Sequence, residues 1–332
     1  MLRICTYNIE HFDKRFNSDN TLKLRGKSKE ALTSLKEIVA TIDPDILGIV
    51  EAPNTSLSSD KSTVECLENF AQWAGLRQSK ALIGYPSAGQ QELALLYDPD
   101  KVTLQHSPGG RRSSKSNPRF NEELYFDTDN DNIKEVYKFY RPPLEAKVSY
   151  GEGQELYILL AHAKSKGIFK ATDMIHWQRE SERNRRKLFA ECSWIRKRVD
   201  EWQKQARKIV VMGDMNDGPG MDFYEYQFGR SAVEIIMGDL FHPATVLNNH
   251  IGRPKWTNKG WSPYSARFKD RFTGANVNVL IDHILSSQNL DVSGDQPLIL
   301  WNPYEEALAK PLKRQLTRAS DHFPISLDIR TD

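Results

Sequence analysis

The sequence predicts an α/β layered domain, with sheets packed together and helices outside, and three observations carry that reading. Strand-like segments outnumber helical ones. Several strands are apolar on both faces and so need cover on both. No internal repeat and no convincing interdomain linker interrupts the 332 residues, which suffice for one large core. Residues 1–332 therefore read as a single domain.

The elements follow in order. LRICTYNI is a short apolar strand, and SKEALTSLKEIVATI carries apolar residues at helical spacings of three and four. DPDILGIVEA is a turn followed by a strand, STVECLENFAQWAGL a second helix, and ELALLYD another strand. EAKVSY and ELYILLAHA, separated by GEGQ, fit a β-hairpin. A long helical stretch spans about 171–206, and KIVVMGD is again a strand. The region 221–275, rich in aromatics, Gly and Pro, reads as loop-dominated. VNVLIDHILSS and FPISLDI supply two final strands.

Apolar residues at 39% and charged residues at 27% describe a globular chain rather than a disordered or membrane one. MLRICTYNIEHF lacks the long apolar stretch of a signal peptide, so a cytoplasmic protein that does not bind membranes is expected. Cys5, Cys66 and Cys192 show no metal-ligand spacing and read as buried small hydrophobes. The net charge of +2 is too small to signal a polyanion partner, but its distribution is uneven. Between Lys164 and Lys208 fourteen Lys and Arg face six Asp and Glu, and GGRRSSKSNPRF forms a second basic stretch.

The strand ends share a chemistry. ICTYN stops at Asn8, ILGIVE at Glu51, YILLAH at His162 and IVVMGDMN at Asp214 and Asn216. VLIDH ends in Asp282 and His283, and ASDHFPI sets Ser320, Asp321 and His322 just before the last strand. A turn, an exposed edge charge or a core histidine explains any one of these. Six together predict a shared rim, where oxygen ligands and imidazoles suit a Mg²⁺ or Mn²⁺ site with general acid and base groups.

TYNIEHF, PDILGIVEA, RPPLEAKV, LLAHAKSKG, VMGDMND, IDHILSS and SDHFPI, in that order, resemble the successive motifs of the endonuclease/exonuclease/phosphatase superfamily. The resemblance implies a four-layered α/β sandwich: two mainly antiparallel sheets face to face, with helices outside. It also implies divalent-metal-dependent phosphoester hydrolysis. On it, Glu51 is the main metal ligand, with Asn8 and Asp321 contributing to the metal or its waters. Asp214 orients or deprotonates the attacking water, and Asn216 donates to a phosphate oxygen. Asp282 pairs with His322 and favours its imidazolium. The choice of base between Asp214 and His322 stays open on the sequence. His162 protonates or hydrogen-bonds the leaving group. Arg141 and Lys164 bind the substrate phosphate, while His283 supports the structure.

A nuclease acting on nucleic acid is the leading substrate class, because the HAKSKG wording precedes a basic segment. Phe169, Trp177, Trp256 and Trp261 are candidates for base stacking. A phosphatase or phospholipase C-like hydrolase of inositol phosphates or phospholipids is the alternative, and a non-catalytic binding module a lesser one. The charged segment at about 107–140 has no counterpart in the family pattern and is a candidate for a substrate-specific lid.

Overall fold

The computed structural model describes residues 1–331 apart from 56–59, 169–170, 219–225, 227–228, 252–262, 271–272, 293 and 295–296. One six-stranded sheet contains Leu2–Asn8 (β1), Ile46–Ala52 (β2), Lys80–Ile83 (β3) and Glu92–Tyr97 (β4). Leu298–Leu300 (β15) and Ile325–Ile329 (β16) complete it, in the order β15-β16-β1-β2-β4-β3. The second contains Val102–His106 (β5), Leu144–Tyr150 (β8), Gln154–His162 (β9), Ile209–Asp214 (β10), Asn248–Asn249 (β11) and Asp282–Ser286 (β14). Its order is β11-β14-β10-β9-β8-β5. Both sheets are mixed: β1 with β2 and β9 with β10 are parallel, and the other pairings within them are antiparallel.

Strand alternation explains why both faces are apolar. From β1, Leu2 and Ile4 turn toward the second sheet, joining Ile158, Val210 and Met212. Cys5 and Tyr7 turn the other way, against Leu32, Leu35 and Ile38 of Gly26–Ile42 (α1) and Phe70 of Thr63–Ala74 (α2). From β10, Ile209 and Val211 meet Leu188, Ile195 and Trp202 of Met174–Lys204 (α3), with Ala232–Met237 (α4) beside them. The result is helix, sheet, sheet, helix. The sheets approach closely at Gly48, where a Cβ would stand 2.6 Å from Met212 Cε. Lys313–Ala319 (α5) packs on α1. Among the described residues, no helix is long and apolar enough to cross a membrane.

Two sequence expectations change. Within 221–275, SAVEIIM forms α4, started by a capping box in which Ser231 and Glu234 satisfy each other's backbone N–H. Ser-x-x-Glu before an apolar run was the available signal. VNVLIDHILSS is two strands: Asn276–Val279 (β13) pairs with Ala266–Lys269 (β12) in a hairpin, whereas β14 joins the second sheet. The Ser265 hydroxyl accepts from the Ile281 and Asp282 amides at this break, replacing the lost ladder bonds.

Segment 107–140 is built into the body of the protein. Its hairpin, Leu124–Phe126 (β6) with Glu135–Tyr137 (β7), lies beside α3. Phe120, Leu124 and Phe139 are buried with Trp194. Arg198 of α3 is fully buried and pairs with Glu145 of β8.

Candidate active site

The two parallel pairings create the rim. Parallel neighbours end on the same edge of a sheet, so Asn8 lies level with Val50, next to Glu51, and His162 level with Asp214. The antiparallel strands β14 and β16 begin where those strands stop. That register sets Asp282 opposite Asp214 and brings Asp321 and His322 in just before β16. Asn8 Nδ2 donates to Asp214 Oδ2 at 2.9 Å and ties the two sheets together at the rim.

Local backbone geometry completes the placement. Glu51 sits at φ 61°, at a register shift between Val50 and Ala52. Left-handed geometry in a non-glycine residue is a cost found preferentially at functional positions. Asn216 adopts φ 52°, which Asn tolerates, and donates its amide N–H to Asp214 Oδ1 at 2.8 Å. Gly213 has φ 128°, and a Cβ there would stand 2.0 Å from the Ala161 carbonyl oxygen, so only glycine fits before Asp214.

Around Asp214 the polar groups converge. His162 Nε2 lies 3.5 Å and His322 Nε2 4.0 Å from its Oδ2. His322 Nδ1 lies 2.8 Å from Asp282 Oδ2, which also accepts from the Ser265 hydroxyl at 2.8 Å. A carboxylate can only accept, so Nδ1 carries the proton and Nε2 faces Asp214. Burial pushes the His322 pKa down, but Asp282, then Asp214 and Asp321, outweigh it and raise it to about 10. Burial and the neighbouring Asp282 charge push the Asp214 carboxyl up. His162 is pushed well down by burial, then by Arg141 and His322, and its buried Nδ1 has no hydrogen-bond partner.

Among the described residues, two groups of side chains at the rim could hold a cation, apart from Asp127, Asp129 and Asp131 of the 107–140 segment. Ligand atoms of Asp214, Asp282 and His322 lie within 4.8 Å of one another. Of these, Asp282 Oδ2 and His322 Nδ1 are bonded to each other and Asp214 Oδ2 accepts from Asn8. Asn8 Oδ1 and Asp321 Oδ1, by contrast, are buried oxygens without hydrogen-bond partners. Glu51, half-buried, accepts the His11 amide at Oε2. Orphaned buried oxygens beside a carboxylate are the donor set a hard divalent cation needs, so these residues fit one.

The predicted phosphate ligands flank strands of the second sheet, Arg141 before β8, Lys164 after β9 and Asn216 after β10. Arg141 donates to Gln91 Oε1 at 2.5 Å and keeps a buried Nε without a partner; burial lowers its pKa. Lys164 donates its backbone N–H to Glu191 and its ammonium to the Ser165 carbonyl. Asn216 Nδ2 is taken up by the Ala163 carbonyl at 3.0 Å. His283 is fully buried, with its pKa pushed down to about 4 by burial, and lies 3.0 Å from the Asp217 carbonyl oxygen, in keeping with a supporting role. Phe169, Trp256 and Trp261 lie outside the described residues, and Trp177 lies in the first turn of α3.

Sequence reasoning missed Ser265 and His11, and named Ser320 at the rim without a role. Ser265 fixes Asp282 but lies in an irregular segment with no periodic signal. Ser320 donates to the Asn8 carbonyl and accepts the His322 amide, binding the two ends of the chain together. The short SDH wording was the only cue to it. A cavity of about 710 Å³ lies away from the rim, by Ser287 and Arg207. The Arg196 guanidinium on its wall is already bound to Asp200, Gln203 and carbonyls.

The sequence model of the Endonuclease/Exonuclease/phosphatase family matches residues 5–322. No curated protein matches the sequence. Truncated TDP2 from Caenorhabditis elegans is similar in structure at 15% identity, with 99% of this chain and 98% of that chain covered and a TM-score of 0.53. An endonuclease/exonuclease/phosphatase from Bacteroides vulgatus is similar at 15% identity, 100% and 99% coverage and a TM-score of 0.52. Humanized D. rerio TDP2 carrying 14 mutations matches at 14% identity, 99% coverage of both chains and a TM-score of 0.50. At such identities the likeness is one of fold: the layered sandwich expected from the sequence.

Proposed function

This chain belongs to the endonuclease/exonuclease/phosphatase family, and from that membership we propose that it is a divalent-metal-dependent phosphodiesterase acting on nucleic acid, a nuclease. The observation that carries the reading is the convergence, at one rim, of partnerless oxygens on Asn8 and Asp321 with the Asp214–His322–Asp282 cluster.

Glu51, Asn8 and Asp321 would hold Mg²⁺ or Mn²⁺, which when bound acts as a Lewis acid on the scissile phosphate. Asp282 keeps His322 protonated, so His322 cannot take a proton and instead places positive charge against the phosphoryl oxygens. Asp214, its carboxyl raised by burial, is the remaining base and orients the attacking water, with Asn216 holding one of its oxygens. His162 stays neutral and offers a hydrogen bond to a substrate oxygen. Arg141 and Lys164 supply the cationic wall on the phosphate side.

The test is digestion of supercoiled plasmid, linear duplex, single-stranded DNA and RNA with Mg²⁺, with EDTA and Asp214→Ala as controls. Phosphate release from an inositol polyphosphate is measured alongside. Cutting lost in both controls supports the nuclease. Phosphate release without cutting replaces it with the phosphatase.

A further inference from the structure

Glu191 lies buried in the middle of α3 with three cations about it. Its Oε2 accepts the backbone N–H of Lys164 at 2.8 Å, and its Oε1 is 3.7 Å from Lys187 Nζ, one helical turn away. Arg141 is the third, and it also feels the charges of Asp214 and Glu51. Lys187 and Arg183 bear on Lys164, whose ammonium is depressed chiefly by burial. Ala163 donates its N–H to the Asp214 carbonyl and accepts from Asn216 Nδ2, so Lys164 follows directly on the reacting groups, and Glu191 links it to Lys187.

One carboxylate needs one cation. Arg141 is shared with Asp214 and Glu51, so Lys164 and Lys187 remain to Glu191, one cation more than a single carboxylate needs, whereas Arg183 is spent on Glu180 at 2.5 Å. The arrangement is braced as well as charged. Asn184, from the same helix, donates to the Gly167 carbonyl at 2.9 Å, so α3 holds the segment after β9 at two points. Lys187 remains half-buried and faces Glu191 at a distance longer than a hydrogen bond, which leaves its donors available to an anion.

Building on the nuclease reading, we propose that Lys164 and Lys187, positioned by Glu191, bind the strand phosphate next to the one that is cut. The preferred substrate then carries at least two backbone phosphates, and Glu191 is a positioning residue for the second.

Kinetics on two substrates test this: a single-stranded tetranucleotide, and thymidine 5′-(4-nitrophenyl phosphate), which has one phosphate and no neighbour. Lys187→Ala raises KM on the tetranucleotide about tenfold more than on the ester. The slope of log KM against log salt becomes shallower by about 0.7 on the tetranucleotide, the counterion of one strand phosphate. Lys187→Gln, which keeps the aliphatic stem, gives the same split, Lys187→Arg restores activity, and Glu191→Gln moves KM on the tetranucleotide with little change in kcat. Equal effects on the two substrates, or an unchanged salt slope, overturn the inference while the nuclease reading stands. A wild-type protein that cuts the plasmid or duplex but not the tetranucleotide overturns this inference alone, and one that cuts no nucleic acid at all overturns the nuclease reading and this inference with it.

Discussion

Asp282 and His322, 40 residues apart in sequence, share a hydrogen bond of 2.8 Å between Oδ2 and Nδ1 that points the other imidazole nitrogen at Asp214. A carboxylate behind an imidazole sets its tautomer and raises its pKa. Asp282→Asn removes the charge and keeps the shape. Without it, His322 deprotonates at lower pH, so the alkaline limb of the kcat profile moves down in pH. At neutral pH, kcat falls by about 100-fold. A pH–rate profile of the variant checks both.

Asn8, Glu51 and Asp321 make a second prediction that does not depend on turnover. A cation bound only by the folded chain raises Tm with its concentration. Mg²⁺ should raise the wild-type Tm, and EDTA should reverse the shift. Glu51→Gln should shrink it, and Asp321→Asn should do so to a lesser degree. A thermal melt across a Mg²⁺ series reads this directly, and an equal shift in wild type and Glu51→Gln would remove Glu51 from the metal.

Glu191 supplies a pH dependence of stability. Burial pushes its carboxyl up to about 7, against an ordinary 4.5, while Lys187 and Arg141 oppose the shift. The folded chain therefore holds an extra proton between those two values. Stability is lost as pH rises through that window, and the penalty is fully present above it. Glu191→Gln should accordingly gain Tm relative to wild type at pH 8 and show no such gain at pH 4.5. The difference is worth a few kcal/mol at most.

Gly213 has no tolerated substitute. Gly213→Ala brings a Cβ to 2.0 Å from a backbone oxygen at φ 128°. Either β9 and β10 separate or Asp214 rotates from the rim. The expected loss is at least about 3 kcal/mol in urea unfolding. Gly229→Ala, at φ 69° with open space around it, is the control for φ strain without the clash.

The layered class, the hairpin of β8 with β9, the long α3 and the rim residues were legible because each is written in a local pattern. Doubly apolar strands, a helical repeat and polar residues at strand ends are visible to anyone reading along the chain. VNVLIDHILSS could not be divided that way, since both halves are strand-like and only Ser265, from outside the run, marks the break. The strand β3 and the pairing of β5 were equally silent, being short and stabilised by their neighbours.

Which groups would meet at the rim was set by the sequence alone, because Asn, Glu, Asp and His stand at the ends of apolar strands that share one edge. How each is bonded and charged there was decided only by the tertiary structure. Asp282 bonds His322 and favours its charged form, which under the proposed function leaves Asp214 as the base, and Glu191 gathers three cations beside them. Protonation state and excess charge depend on burial and on distances of a few ångströms between distant parts of the chain, and those exist only once the two sheets have closed on each other.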